Sequence, residues 1–303
     1  MEPTIIANQK ENTDKVFLVS GTSTGLGLSI VKKLLDNKFK VSAFTRSKST
    51  VENEIKKYYE TENKIDLFKS LLVVQVDITN EESVEEGVKE TIKTFGHIDV
   101  VINNAGYSQL GNVEETSDKE ARAIFDVNYF AVLNIVRSTI PHLRKQRSGL
   151  ILNVSSILGH RPRGKTSSYS ASKYAVTGLT LSLNKELAPF NVKVLLLSPG
   201  GFRPDITNKE KFKVIENPID EYHPLSSIDN SLKDFLKLAE TTRGSHDKFA
   251  NAIVKIFELY QQDKPLPTNI FFGYDAIQDS KLHFNSLLDD INQWNEISIS
   301  TDL

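Results

Sequence analysis

Apolar residues in this chain fall in short continuous runs, separated by stretches where they recur every three or four positions. Residues 15–20 read Lys-Val-Phe-Leu-Val-Ser, 40–45 read Lys-Val-Ser-Ala-Phe-Thr, and 71–76 read Leu-Leu-Val-Val-Gln-Val. Similar runs follow at 100–102, 150–154 and 192–197, with a last short one at 268–272. Unbroken β-branched runs predict strands covered on both faces, because a half-solvated strand alternates apolar with polar. Between them the period changes to that of helices. These are expected up to residue 37 after the first strand, within the charged stretch 51–70, over 81–95 and over 118–145. Others are expected from Tyr169 toward Pro189, over 246–262 and over 281–294. Pro141 is expected to end or kink the helix over 118–145, since proline lacks the amide a helix interior needs.

Strand and helix thus alternate about six times, which predicts an α/β fold: a doubly wound, mostly parallel sheet with helices on both faces. No repeat or linker-like segment interrupts it, so residues 15–303 read as a single domain behind a flexible, polar arm at 1–14. Within that domain, 203–263 reads as a substrate-loop and helix region and 274–303 as a C-terminal extension.

Composition narrows the chemistry. The 303 residues include no cysteine, which removes disulfides, thiolate metal sites and cysteine nucleophiles. Lys plus Arg number 37 against 39 Asp plus Glu, so no charge excess points to nucleic acid or a membrane surface. The polar start of the chain has no signal-like apolar core, and no run approaches bilayer length. A cytoplasmic address is the expectation.

The unusual clusters all sit where predicted strands end: residues 21–27, Thr45-Arg46, Asp77, Asn103-Asn104-Ala105-Gly106, Ser155-Ser156 and residues 199–202. In a doubly wound sheet those ends line the ligand crevice. Gly21, Gly25 and Gly27, with Ser23, Thr24 and Leu26 between them, lie between a strand and a helix. There, glycine lets a helix N-terminus approach a pyrophosphate. Arg46 occupies the place where an acid would hold ribose hydroxyls; a cation suits a 2′-phosphate, which favours NADP(H) over NAD(H). Tyr169 and Lys173 stand four apart on a predicted helix and so share a face. A fixed ammonium near a phenol favours the phenolate and makes tyrosine usable as an acid or base at neutral pH. Ser156, ending the preceding strand, is placed to donate to a substrate oxygen as charge develops there.

Taken together, these residues resemble the short-chain dehydrogenase/reductase family over residues 15–202. The likeness rests on the glycine motif, Asp77, the Asn-Asn-Ala-Gly run at 103–106, Asn128, Ser156, Tyr169, Lys173 and Pro199-Gly200, with thirteen positions between Ser156 and Tyr169. The resemblance implies a Rossmann-type sheet and hydride transfer between a nicotinamide and a carbonyl or alcohol carbon. It casts Tyr169 as general acid or base. Lys173 would lower its pKa and hold the nicotinamide ribose, Ser156 would polarise the substrate oxygen, and Asn128 would anchor a water leading to Lys173. It also places Asp77 and Ile78 at the adenine, and Asn104, Ala105 and Gly106 along the cofactor. Pro199, Gly200 and backbone groups of Phe202 fall at the carboxamide. The chain departs from the family pattern at Ser20, where threonine is usual, and after Gly200, where Gly201-Phe202-Arg203 replaces a threonine.

The expected substrate is a small carbonyl or alcohol compound. His160, Arg161, Arg163, Lys165 and Arg203 are either anion-recognising or simply solvated. Tyr107, Leu110, Phe202 and Phe212 are candidates for an apolar lining. Ala171, Ala175 and Gly178 would permit close approach of a second copy in a homodimer. The C-terminal extension would cover the pocket or the sheet edge and block a tetramer. The alternatives are an NAD-linked alcohol dehydrogenase and a non-catalytic NADPH-binding redox sensor.

Overall fold

The computed structural model describes residues 14–202, 212–222 and 244–303. Expectations placed on 1–13 and on Arg203 lie outside the described residues, as does the side chain of Phe212. The apolar runs become strands β1 (Val16–Ser20), β2 (Lys40–Thr45), β3 (Leu71–Gln75) and β4 (Val100–Asn103), then β5 (Ser108–Leu110), β6 (Gly149–Val154), β7 (Val192–Pro199), β8 (Phe212–Val214) and β9 (Asn269–Phe272). Seven of them form one sheet in the order β3-β2-β1-β4-β6-β7-β9, parallel at every pairing. From β1 the chain builds outward through β2 and β3, then returns to lay β4 on the other side of β1. That reversal opens a crevice at the carboxyl ends of β1 and β4.

Helices α1 (Gly25–Asp36), α2 (Lys48–Thr61), α3 (Glu81–Phe95), α4 (Asp118–Phe125), α5 (Ala131–Gln146) and α6 (Ser167–Leu187) connect the strands, followed by α7 (His246–Gln261), α8 (Tyr274–Gln293) and α9 (Asn295–Ile299). Successive strand residues point to opposite faces. Phe17 and Val19 therefore join a core with α1 and α7, while Leu18 joins one with α3, α5 and α6. On the first face, Phe17 meets Phe39 and Phe257 at 4.8 Å each, and those two meet at 5.5 Å. Each such ring or branched side chain contributes about 1.5–3 kcal/mol by leaving water, so burial on both faces holds the sheet between its helices.

The charged stretch 51–70 holds the expected helix in α2, which stops at Thr61; Asn63 then turns with φ +53°, and a 3₁₀ turn at Ile65–Ser70 leads into β3. Three expectations need correcting. The helix over 118–145 is α4 and α5, joined by a π turn at Asp126–Phe130. Pro141 does not end α5; it sits on the exposed side, where water can satisfy the Arg137 carbonyl it leaves unpaired. The last long helix begins at Tyr274 rather than 281, launched from Gly273, whose φ of +104° suits a residue without a side chain.

The first turns of α8 dock at the β7–β9 edge. The Asp275 carboxylate accepts the Gly201 amide at 2.6 Å, and Asp279 pairs with Arg161 and, at 2.7 Å, with Arg163. No helix among the described residues is long and apolar enough to cross a membrane.

Candidate active site

The crevice at the sheet's reversal is a cleft of about 530 Å³. Gly21, Ser23, Thr24, Arg46, Asp77, Ile78, Asn104, Ala105 and Gly106 line it, so the clusters from the ends of β1, β2, β3 and β4 meet there, while those of β6 and β7 lie outside its lining. Gly21 has φ +71°, and a Cβ there would come within 2.7 Å of the Ala105 Cα. A Cβ on Gly27 would overlap the Gly21 carbonyl and reach within 2.6 Å of Asn104 Nδ2. Asn104 in turn donates to the carbonyls of Ser20 (3.0 Å) and Gly21 (3.2 Å). The Ser20 hydroxyl accepts the amides of Asn104 and Ala105, so serine performs the bracing at the position where the family usually has threonine.

The same geometry answers whether these residues suit a dinucleotide. The first turn of α1 carries no acidic residue, and the Thr24 side chain makes no capping bond there. Its amides and dipole thus favour an anion arriving over the bare Gly21–Gly27 contact. Arg46 is exposed at the cleft mouth just past β2. Thr45 bonds Ser23 at 2.8 Å, and Lys48 pairs with Glu52 instead of entering the cleft. The Asp77 carboxylate is held by the Thr79 amide (3.0 Å) and hydroxyl (2.7 Å).

Past Gly106, and outside the residues that line the cleft, α6 presents Tyr169 and Lys173 on one face, with the ammonium 5.9 Å from the ring centre. Lys173 is buried and donates to the Val154 carbonyl at 3.0 Å. Burial lowers its pKa to about 8, which leaves it a cation at neutral pH. Burial raises the Tyr169 phenol, while hydrogen bonds from Ser156 and Ser108 pull it back down. In the protein alone, then, two hydroxyls rather than the lysine oppose the effect of burial on the phenol. The Ser156 oxygen accepts the Leu158 amide at 3.1 Å, which orients its hydroxyl. Ser155 donates to the Lys173 carbonyl at 3.0 Å and fixes the helix to β6.

Asn128 lies fully buried in the π turn. Its oxygen accepts the Tyr107 amide, and its amide group donates to the Tyr107 carbonyl and Ser172. A Cβ on Gly106 would come within 3.0 Å of Asn128 Oδ1 and 3.3 Å of Lys173 Nζ. Gly106 therefore belongs to both the cleft and the Lys173 pocket.

The side chains of Arg161, Arg163 and Phe202 are engaged outside the cleft lining. Arg161 and Arg163 hold Asp279 of α8 instead of facing the cleft. The Phe202 ring packs beside His246 (6.3 Å) and Phe249 (5.4 Å) on α7. Gly200 is pressed against Asp275, and its amide bonds the Phe272 carbonyl at 2.8 Å. Sequence reading missed Ser108 and Lys213. Both lie in the three-residue strands β5 and β8, too short for periodicity to show, and among the described residues these pair with each other in a two-stranded sheet. Lys213 lines the cleft with its ammonium 4.5 Å from the Tyr107 ring centre.

His160 is buried between the sheet edge and α8. It meets Ser198 at 3.0 Å and Asn269 at 3.2 Å, and its ring lies 5.0 Å from that of Phe271. Burial first, then the His283 charge, lowers its pKa to about 4. The unfolded chain protonates this histidine below about pH 6.5 while the folded chain holds it neutral, so stability falls as pH drops from about 6.5 to 4, by up to about 3 kcal/mol. The melting midpoint is expected to fall more steeply over that window in the native protein than in His160→Gln. Parallel slopes would show that another group carries the acid sensitivity.

The family model for short chain dehydrogenases matches residues 15–214. An oxidoreductase of Botryotinia fuckeliana is 28% identical over 288 residues, covering 95% of this chain and 99% of that protein. Among solved structures, a short-chain dehydrogenase from Streptomyces avermitilis superposes with a TM-score of 0.81 at 27% identity, covering 95% of this chain and all of the other. A 3-ketoacyl-(acyl-carrier-protein) reductase from Brucella melitensis, complexed with NADH, is 30% identical with a TM-score of 0.57, over 62% of this chain and 76% of that one. The chain belongs to the short-chain dehydrogenase/reductase family. It is an oxidoreductase with an NAD(P)-binding Rossmann-type domain, acting on small molecules.

Proposed function

We propose that the protein reduces a small-molecule carbonyl with NADPH, or oxidises the corresponding alcohol with NADP, using Tyr169 as the general acid or base. The observation that carries this reading is Gly106: its missing side chain joins the nucleotide cleft to the Lys173 ammonium and Asn128. Residues Gly21, Ser23, Thr24, Gly25, Leu26 and Gly27 would hold the phosphates, Arg46 the 2′-phosphate, and Asp77 with Ile78 the adenine. Asn104, Ala105 and Gly106 would run along the dinucleotide. Pro199, Gly200 and the Phe202 backbone would stand at its nicotinamide end, and Tyr169 and Lys173 at the ribose. When bound, the cofactor supplies the hydride.

The protein's own groups handle the proton. Ser156 donates a hydrogen bond to the substrate oxygen, and the Tyr169 hydroxyl transfers its proton there as that oxygen gains charge. The buried Lys173 cation stabilises the phenolate left behind. Asn128 holds the Tyr107 backbone and Ser172 in place beneath the pair, and a water anchored there would return the proton. The Brucella enzyme's reaction on a 3-keto group supports the carbonyl assignment.

Loss of NADPH absorbance across a carbonyl panel is the direct test. A panel that leaves NADPH untouched, with the dinucleotide bound, would instead favour a redox sensor. The NADH complex of the Brucella relative supports the rival NAD-linked reading, and Arg46 distinguishes the two. Charge-assisted hydrogen bonds contribute about 1.5–3 kcal/mol each, so Arg46→Asp is expected to weaken NADPH binding about 10- to 100-fold while leaving NADH within about threefold. Equal losses for both dinucleotides would remove the preference for NADP. Ala171 and Gly178 are exposed on α6, and a Cβ on Gly178 would meet nothing within 4 Å, which leaves room for the homodimer contact.

A further inference from the structure

Arg46 shares the lining of the cleft with a second cation, Lys213. The Lys213 ammonium lies over the Tyr107 ring, 4.5 Å from its centre. Asp126 lines the same wall, yet no carboxylate among the described residues pairs with the ammonium. Its backbone, by contrast, is tied down. The Ile215 amide donates to the Leu110 carbonyl at 3.0 Å, and the Glu216 amide to the Glu120 carboxylate at 3.0 Å. The Ile219 amide donates to Glu115 at 2.9 Å, and the Tyr222 hydroxyl to Glu114 at 2.7 Å. Ile215 is buried against Gly111, where a Cβ would collide with it. Residues 212–222 thus form a strap fastened along β5 and the segment that follows it, and the strap holds Lys213 at the cleft.

Topology selects the anion that this cation meets. In the sheet order β2-β1-β4, Arg46 follows β2, the Gly21–Gly27 turn follows β1 and Tyr107 follows β4. Neighbouring strands lie about 4.8 Å apart, so Arg46 and Tyr107 flank the glycine turn from opposite sides, with strand ends about 10 Å apart. A 2′-phosphate at Arg46 is therefore on the far side of the turn from Lys213. The strand register also turns Lys213 away from the reacting phenol. Lys213 pairs with Gln109 and so faces the side opposite to Ser108, the residue that hydrogen-bonds Tyr169. What lies between the glycine turn and Lys213 is the place of the dinucleotide's diphosphate.

We infer that Lys213 is a cofactor-binding residue, holding the diphosphate of the bound dinucleotide from the side opposite the first turn of α1. Lysine suits this task, because its ammonium is a point charge on a flexible stem and binds phosphate without demanding one geometry. An exposed aromatic face holds a cation weakly, so the ammonium can leave Tyr107 for a phosphate oxygen. The assignment rests on the cleft taking a dinucleotide; it holds whichever carbonyl is reduced and whichever nicotinamide cofactor is preferred.

The test is calorimetric titration of the full chain, without substrate, with NADPH, NADH and ADP-ribose, which share the diphosphate. Lys213→Met keeps the stem and removes the charge, and losing one charge-assisted contact should weaken all three ligands alike, by about tenfold. Lys213→Glu should weaken them further, while Lys213→Arg should stay within about threefold of native. A loss confined to NADPH would move the contact to the 2′-phosphate and overturn the assignment. So would native affinity of Lys213→Met for all three ligands together with a raised KM for carboxylated but not neutral carbonyls, since the anion would then be the substrate's. Lys213→Arg binding as poorly as Lys213→Met would show that shape rather than charge is at work, and would end the case as well. Turnover reports separately: a chain that shows this charge series yet reduces no carbonyl would refute the reductase reading and leave the role of Lys213 standing.

Discussion

Tyr169→Phe is expected to lower kcat by about 10²- to 10⁴-fold, the range over which a positioned acid or base acts. Dinucleotide affinity should stay within about threefold and the melting midpoint close to native. The phenyl ring keeps its place on α6, and Ser156 keeps the Leu158 amide as a partner when the phenol oxygen is gone. What disappears is the proton donor opposite the substrate oxygen. Single-turnover measurements with NADPH and the best carbonyl of the panel would separate this loss from one of binding. A phenylalanine variant that turns over at the native rate would show that the proton comes from another group, and Tyr169 would then be structural.

Gly27→Ala should do the opposite, damaging binding before chemistry. Its Cβ would overlap the Gly21 carbonyl and crowd Asn104, which ties the ends of β1 and β4 together. Backbone cannot swing aside as a flexible side chain would, so α1 must shift away from the strands. Overpacking of this kind costs about 1–3 kcal/mol, which corresponds to a melting midpoint lower by about 2–10 °C. Because the same helix end faces the cleft, affinity for NADPH and NADH is expected to drop together, by about 100-fold or more on an argument of displaced amides. Gly178→Ala is the control, since that Cβ points into open space. Equal effects of the two substitutions on the melting midpoint would mean that the crowding at Gly27 relaxes without cost.

Particular residues show how much could be read before the fold was known. Continuous apolar runs marked the strands of the main sheet, because strands buried on both faces need no polar face and their neighbours in sequence are not. Tyr169 and Lys173 were legible as a pair because helical spacing alone puts them on one side. Gly21 and Gly27 were legible as a loop, though not the reason each must lack a Cβ. That reason lies in Ala105 and Asn104, some eighty residues away. Arg161 and Arg163 read more readily as solvated charges than as anion binders, and the structure pairs both with Asp279, which arrives from a helix more than a hundred residues later. Ser108 and Lys213 left no trace in the pattern, since each belongs to a strand of three residues paired, among the described residues, with the other.

The order of strands along the chain, the helices between them and the types of residue at each strand end are local properties. They follow from which side chains must leave water and which backbone angles each residue tolerates, and the amino-acid sequence alone determined them. The folded chain decided what the ends of distant strands do to one another. It buried Lys173 enough to bring its pKa to about 8, and it set two serine hydroxyls on the phenol of Tyr169. It also turned a pair of basic residues into the anchor of α8. Those outcomes depend on desolvation and on contacts between residues far apart in the chain, and neither exists until the sheet has closed around them.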